Sequence, residues 1–265
     1  MNKIISLIKQ GRLVVFSGAG ISSESGIPTF RGKGGLWEEY DPNLYATIQG
    51  VKFLLFNAPR KIRNFIIDFY TLLTNSEPNY AHFALAQLEA RGMLEGIITQ
   101  NIDDFHIQAG SHLVAELHGN AYQFVCRSCK RKIKKTKHEV VDFANLLKKQ
   151  FEKRAIVKTI IDFISKCDYC RKRLENGVVL FGQSLPEEEM LKAYQYIKNG
   201  KNMLCVGTTA TVYPAVSFPY YAKKKGLKII NINPEANEID EISDFIIRSK
   251  AGVFFEKLMP FLGVL

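Results

Sequence analysis

Four of the five cysteines form two C-x2-C pairs, Cys126 with Cys129 in CRSC and Cys167 with Cys170 in CDYC, separated by 37 residues. In a reducing compartment, thiolates at such spacing close a tetrahedral site around one zinc ion. With no ligand position left open, that ion would hold chain segments together and perform no chemistry. A disulfide framework is the competing reading, but a 265-residue chain without a secretion signal has little need of one. Cys205, inside the apolar run MLCVG, reads as an inert buried residue. A second cluster lies in ITQNIDDFH, Ile98 to His106. There Gln100, Asn101 and Asp103 follow an apolar stretch directly, where an open sheet places its ligand crevice. Carboxamides beside a carboxylate can bind sugar hydroxyls and an amide, the groups of a nicotinamide riboside and of many other ligands. His118 ends a further apolar stretch, LVAELHG, and imidazole is the side chain whose ordinary pKa suits proton abstraction near neutrality. His82, His106, His112 and His138 read as structural histidines.

The glycine turn GAGISSESGIP, Gly18 to Pro28, is the third feature. Glycines let a backbone approach a pyrophosphate, and a helix following the turn would offer free N–H groups, with Ser22 and Ser23 as its caps. A tight structural turn uses the same residues. The turn departs from the dehydrogenase fingerprint, because Gly26 arrives six residues after Gly20 instead of three. Nor does an acidic residue close a second strand about 20 residues on, since Gly32, Lys33, Gly34 and Gly35 occupy that region. Hydride transfer is disfavoured; dinucleotide binding in another geometry is not.

The elements that must position these groups are short apolar strands alternating with amphipathic helices. Strands are expected at Arg12 to Ser17, Gly96 to Thr99, Met203 to Val206, Lys228 to Ile232 and Phe245 to Ile247. Helical spacing runs through Tyr80 to Arg91, Pro186 to Lys198, Val216 to Lys225 and Gly252 to Leu262. This alternation predicts an α/β, doubly wound, Rossmann-like parallel sheet. Two segments break it and read as a smaller inserted domain, helical and zinc-binding. The first is 30–78, with the loop RGKGG and a helical region from Pro59 to Leu73; the second is 125–177, helical in part from Val141 to Ile164. Segments 1–29, 79–124 and 178–265 are left for the sheet domain.

Apolar residues at 46% and charged residues at 23% describe a folded chain. No stretch approaches the roughly 18 apolar residues of a membrane span. Lys9 and Arg12 interrupt the apolar start and no small-residue cleavage site precedes Gly18, so a cytoplasmic protein is expected. Between Cys126 and Gly177 lie 16 Lys/Arg and 6 Asp/Glu, which leaves 20 of each elsewhere. The whole formal excess of +10 therefore sits in one segment. Such a run attracts phosphates or an acidic or nucleic-acid partner, or is a solvated face with no partner.

Taken together, the motifs resemble those of the sirtuins, the NAD-dependent protein deacylases. The pattern appears as GAGISSESGIPTFR, GLW at Gly35 to Trp37, PNYAH at Pro78 to His82, TQNID at Thr99 to Asp103, AGS, and HG at His118 and Gly119. It continues with both cysteine pairs, FG at Phe181 and Gly182, GTT with VYPA from Gly207 to Ala215, and NIN at Asn231 to Asn233. The resemblance implies NAD as a consumed co-substrate and one structural zinc per chain. It assigns His118 as catalytic base and Asn101 and Asp103 to the nicotinamide pocket, with Ile102 beside them and Gln100 near the ribose. Gly18, Ala19, Gly20, Ser22, Ile27, Phe30 and Arg31 fall on the pyrophosphate and nicotinamide-ribose side. Gly207, Thr208, Thr209, Asn231, Asn233 and Ala251 fall on the adenosine side. Val179 and Phe181 match the walls of an acyl-lysine tunnel. An acylated peptide would lie as an added strand between the segment of Gly182, Gln183 and Ser184 and that of Val212 to Ala215.

The family's reaction transfers the acyl group of lysine to the ribose 2′-hydroxyl through an alkylimidate, releasing nicotinamide and 2′-O-acyl-ADP-ribose, with the base acting through the 3′-hydroxyl. Departures are Asp104 and Phe105 in TQNIDDFH, Gln183 in FGQ, Thr209 in GTT, and Leu174 to Gly177 before Val178. Asp104 replaces a glycine, and Asp tolerates positive φ better than most residues. Family members that prefer succinyl-lysine carry Tyr and Arg three residues apart in the stretch matching Ile62 to Tyr70. Here Phe65 pairs with Asp68, or Ile67 stands in the Arg place, so a neutral acyl group, acetyl first, is expected; Arg63 lies one position off. Mono-ADP-ribosylation shares the whole NAD site and is one alternative. A non-enzymatic, zinc-containing nucleic-acid-binding protein is the other, without the interleaved aromatics of a stacking surface.

Overall fold

A computed structural model describes residues 2–30 and 34–263. In chain order the strands are β1 (Leu13–Ser17), β2 (Leu94–Thr99), β3 (Val114–Glu116), β4 (Gln123–Cys126), β5 (Lys132–Lys134), β6 (Leu174–Asn176), β7 (Asn202–Val206), β8 (Lys228–Ile232) and β9 (Phe245–Ile247). The chain clusters into two compact units: 1–29, 78–118 and 185–265 in the first, 30–77 and 119–184 in the second. Residues 119–124 and 178–184 thus group with the inserted segments, because β4 pairs with β5 and β6 and not with the larger sheet.

The first unit is a six-stranded sheet in the order β3-β2-β1-β7-β8-β9, every pairing parallel. This is the doubly wound order, and it reverses direction between β1 and β7. Both strands are buried along their whole length, as their unbroken apolar runs require in a sheet covered on two faces. Helices Tyr80–Ala90, Glu187–Asn199, Ser217–Lys224 and Ala251–Leu258 match the helical spacing. The helix Asn2–Lys9 was not foreseen; it buries Ile4, Ile5 and Ile8 in the core that includes Leu85, Leu88 and Phe255.

The second unit pairs a three-stranded antiparallel sheet, β5-β4-β6, with helices that include Ile48–Asn57, Pro59–Asn75, Lys137–Lys148 and Lys153–Ile164. The apolar run from Val141 to Ile164 is two helices rather than one. The break falls where Arg63 donates from Nε to the Leu147 carbonyl at 3.1 Å and from Nη2 to the Lys148 carbonyl at 2.7 Å. A guanidinium there satisfies carbonyls that the helix end leaves without partners. The two helices face each other through Phe143 and Phe163, stacked with centroids 3.8 Å apart. Tyr70 meets both rings edge-on and donates its hydroxyl to the Ala121 carbonyl at 3.1 Å. No helix among the described residues is long and apolar enough to cross a membrane.

Candidate functional site

In the first unit the carboxyl ends of β1, β2, β7 and β8 carry nearly all the polar residues singled out above. The glycine turn behaves differently from its expected role. No α-helix follows β1; two 3-10 turns, Ala19–Ile21 and Ser23–Ser25, take its place. A Cβ on Gly18 would come within 2.9 Å of the Gly207 carbonyl and of Thr208, and one on Gly20 within 2.7 Å of Gly207 Cα. The glycines therefore serve the close approach of two backbone turns at the point where the sheet order reverses. Gly20 N–H donates to Gly207 O at 2.7 Å, which locks that approach.

Ser22 does not cap a helix. Its hydroxyl donates to Asp103 Oδ2 at 2.7 Å and accepts from Asn101 Nδ2 at 3.0 Å. Asp103 also accepts from Asn101 Nδ2 at 3.2 Å and, through Oδ1, from the Phe105 N–H at 3.0 Å. These donors favour the carboxylate, but burial outweighs them and pushes the Asp103 pKa up. Both donations fix which amide atom of Asn101 is nitrogen, so its Oδ1 is a buried acceptor with no protein donor. Asn101 and Asp103 together can thus receive the N–H groups of a ligand amide. His82 extends the chain. The Asn79 N–H donates to its Nδ1 at 3.2 Å, which leaves Nε2–H to face Ser22 Oγ at 3.4 Å. His106 lies beside it, ring centroids 5.0 Å apart, with Nε2 2.9 Å from Ser17 Oγ. Both imidazoles are held neutral by burial: His82 falls well below its ordinary value and His106 to about 4. Their placement behind Asn101 and Asp103 was missed in the sequence; the available signal was PNYAH, with His82 three residues after a capping Asn79.

His118 follows β3. Its Nδ1 lies 2.9 Å from the Gln100 carbonyl, an acceptor only, so Nδ1 carries the hydrogen and Nε2 keeps its lone pair. Burial lowers its pKa, and the hydrogen bond to Gln100 opposes this in part. Gln100 in turn donates from Nε2 to Thr208 Oγ1 at 2.9 Å. The residue replacing the family glycine, Asp104, has φ 70°, and an Asp accommodates that left-handed conformation. Asn231 and Thr208 are buried, Asn233 is half-buried and donates to the Thr208 carbonyl at 2.9 Å, and Thr209 is exposed. Ala251 is buried at the start of its helix, where the next N–H, that of Gly252, meets Glu24 Oε2 at 2.7 Å. Ile27, Ile102 and Val212 are half-buried. Arg31 lies outside the described residues.

In the second unit Phe30 stacks on Trp37 at 5.5 Å, and Trp37 lies 6.4 Å from Phe181. Phe30 therefore groups with the apolar wall and not with the glycine turn. Phe181 pairs with Thr47 in a parallel bridge and donates its N–H to Ala46 O at 2.8 Å, while its ring stays 39% exposed. Val179 is half-buried beside it in sequence. Gln183 Oε1 accepts the Leu180 N–H at 2.7 Å and closes a turn through Gly182. A carboxylate oxygen would accept the same bond, so FGQ preserves this turn.

The four cysteines converge. Their Sγ atoms all lie within 4.8 Å of one another, with Cys126–Cys170 at 3.4 Å and Cys129–Cys167 at 3.6 Å. A tetrahedral Zn–S site with bonds of about 2.3 Å needs sulfur separations of about 3.8 Å. The two knuckles repeat one geometry: Lys130 N–H to Cys126 O at 2.8 Å, and Arg171 N–H to Cys167 O at 2.9 Å. The donor set therefore fits zinc.

The Sir2 family profile matches residues 18–214. This chain belongs to the Sir2 family. It is similar to the NAD-dependent protein deacylase of Pyrococcus furiosus, 39% identical over 96% of this chain and 94% of that protein. To NAD-dependent protein deacylase 2 of Archaeoglobus fulgidus it is 40% identical over 96% and 92%. Among solved structures it resembles a mutant Sir2 homologue in complex with ADP-ribose, with a TM-score of 0.80, 33% identity, and coverage of 99% of this chain and 96% of that one. A Sir2–p53 peptide–NAD+ complex gives 0.77, 29%, and coverage of 99% and 98%. The Sir2 motifs of the sequence are thus carried by a Sir2 fold, with the unpartnered Asn101 Oδ1 and Asn231 Oδ1 as buried acceptors that suit a nucleotide ligand.

Proposed function

We propose that this Sir2 protein is an NAD-dependent protein-lysine deacetylase that releases nicotinamide and 2′-O-acetyl-ADP-ribose. The observation that carries the reading is the bond between His118 Nδ1 and Gln100 O, which leaves Nε2 as a free base next in the chain to Gly119 and one strand away from Asn101 and Asp103. NAD, when bound, supplies the activated ribose carbon that accepts the acyl oxygen. Asn101 and Asp103 receive the carboxamide, which Ser22 and His82 orient through the Asp103 carboxylate. His118 Nε2 takes the ribose hydroxyl proton, and its lowered pKa keeps it unprotonated below pH 6.5. Thr208, Asn231, Asn233 and Ala251 hold the adenosine half. Val179 and Phe181 wall the acyl-lysine, with the peptide as an added strand. Cys126, Cys129, Cys167 and Cys170 hold a structural zinc, and reduced thiols suit a cytoplasmic location. Whether the basic segment meets an acidic or nucleic-acid partner is a further part of the proposal, and a salt-dependent binding assay tests it.

Mass spectrometry of NAD incubated with enzyme and an acetyl-lysine peptide tests the main reading. The expected products are free lysine peptide and acetyl-ADP-ribose in equal amounts. ADP-ribose attached to protein, without loss of acetyl, would replace it by the transferase reading.

A further inference from the structure

The amides on the adenosine side need something to aim them. Asn231, fully buried in β8, donates from Nδ2 to Asn237 Oδ1 and to Asp240 Oδ1, both at 2.9 Å. A carboxylate only accepts, so this nitrogen must face Asp240, and Asn231 Oδ1 is left facing away without a protein donor. Asn237 is fixed in the same manner: its Nδ2 donates to the Thr208 carbonyl at 3.1 Å, beside Asn233 Nδ2, and its N–H goes to Asp240 Oδ2 at 3.1 Å. One carboxylate therefore aims Asn231 and holds the turn that grips Thr208. Asp240 is itself gripped by Arg248, which follows β9. Arg248 Nη2 lies 2.5 Å from Oδ2, and Nη1 lies 3.2 Å from both Oδ1 and the Glu235 carbonyl. A guanidinium fork on both oxygens sets the plane of the carboxylate, which a single-point cation would not. The plane of Asp240 then decides where both asparagine amides point.

We propose that Arg248 is a positioning residue for the adenosine half of NAD, acting through Asp240 on Asn231 and on the Thr208 turn. This rests on the reading of the site as an NAD site. The Arg248 guanidinium also holds the Asp240 carboxyl below its usual range, which keeps the acceptor ionised. Without the fork, Asp240 turns freely, and the buried Asn231 acceptor loses its aim. The loss falls on binding of the nucleotide and not on the later acyl transfer, where His118 acts.

Calorimetric titration of ADP-ribose into the zinc-loaded full chain tests this, beside steady-state kinetics in NAD. Arg248→Ala should raise the Kd for ADP-ribose about tenfold and the KM for NAD by a similar factor, with kcat within about twofold of wild type. Arg248→Lys should recover part of the loss, and its titration keeps the question open to measurement should the alanine variant fold poorly. Asp240→Asn should lose about as much as Arg248→Ala, and the double variant no more than either. An unchanged Kd in Arg248→Ala, a fall confined to kcat, or additive losses would each overturn the role of Arg248. A wild-type chain that binds no ADP-ribose would instead remove the NAD-site reading and this inference with it.

Discussion

The two units reach order by different means. In the first, polar side chains are buried in number at strand ends, Ser17, Ser22, His82, Thr99, Asn101, Asp103, His106 and Asn231 among them, above an aliphatic sheet core. In the second, the region around β4 has a core of only Phe124, Cys126, Cys167 and Leu174 with a few partly buried neighbours. Buried polar groups are tolerated where a large apolar core offsets their desolvation and every one that does not await a ligand finds a partner. The small sheet has no such reserve, so cross-links must supply its order. Hence the chemistry sits on the unit that can carry strain, and the thiolates sit on the unit that cannot.

The sharpest way to break this comparison is to take the metal away. Zinc binding to four thiolates is worth about 10 kcal/mol or more to a small site. Chelation, or Cys126→Ser, should therefore abolish hydrogen-exchange protection in β4, β5, β6 and the helices Lys137–Lys148 and Lys153–Ile164. Amides of β1, β2, β7 and β8 should stay protected. Equal loss of protection in both sets would show that the first unit depends on the metal as much as the second. Elemental analysis should find one zinc per chain.

The second test asks whether the polar network of the first unit serves chemistry and not folding alone. His118→Ala should lower deacetylation by about 10² to 10⁴ while the ADP-ribose Kd and the melting temperature change little, because Nδ1 makes its one printed bond to a backbone carbonyl. Turnover near wild type at saturating NAD and peptide would remove His118 from its role. In the wild type the acid limb of kcat should lie below pH 6.5, since burial lowers the imidazole pKa.

The third concerns what the network costs. His106 is neutral when folded with a pKa pushed down to about 4, while its unfolded value is about 6.5. The stability of the folded state is therefore complete above pH 6.5 and is lost as pH falls toward 4, because the unfolded chain takes up the proton first. The full difference is about 3 kcal/mol. His106→Gln should be less stable at pH 7 yet lose less between pH 7 and 4.5 than wild type does. Parallel curves in denaturant titrations across that range would show that His106 is not the group being protonated.

Much of this was legible in the sequence, and the parts that were not share a cause. Uninterrupted apolar runs such as those of β7 and β8 announce themselves, and so do thiols at fixed spacing. The glycine turn was misread in purpose because sequence shows that a Cβ is missing but not what stands where it would be, here Gly207 and Thr208. The role of Ser22 was misread because a serine after a strand caps a helix only if a helix follows. β5, with Lys132 and Lys134 flanking a single Ile133, carries too little apolar pattern to be read as a strand. The partners of Asp240 and Arg248 lie on separate elements and could not be paired without the fold.

The smallest expected effect is on the acyl group, where the second unit sets the chemistry. Acetyl-lysine should be favoured over succinyl-lysine by at least about tenfold in kcat/KM, about 1.4 kcal/mol. A succinyl carboxylate needs a cation, and the stretch from Ile62 to Tyr70 withholds one. Asp68 accepts the Tyr40 hydroxyl at 2.6 Å, Ile67 is buried, and Phe65 packs on the rings of Tyr40 and Tyr45 at 4.9 Å. Arg63, the one cation in reach by sequence, spends Nε and Nη2 on the Leu147 and Lys148 carbonyls and Nη1 on Asn64, with its guanidinium over the Phe151 ring. Swinging it toward an acyl group would strip a helix end of its cap, so the partly solvated pairing it could form does not compensate. Arg63→Ala should accordingly lower thermal stability and leave the acetyl-to-succinyl ratio unchanged, measured in competition with matched peptides. A ratio near one in the wild type, or a ratio that rises in Arg63→Ala, would show that Arg63 does leave the helix end to meet the substrate.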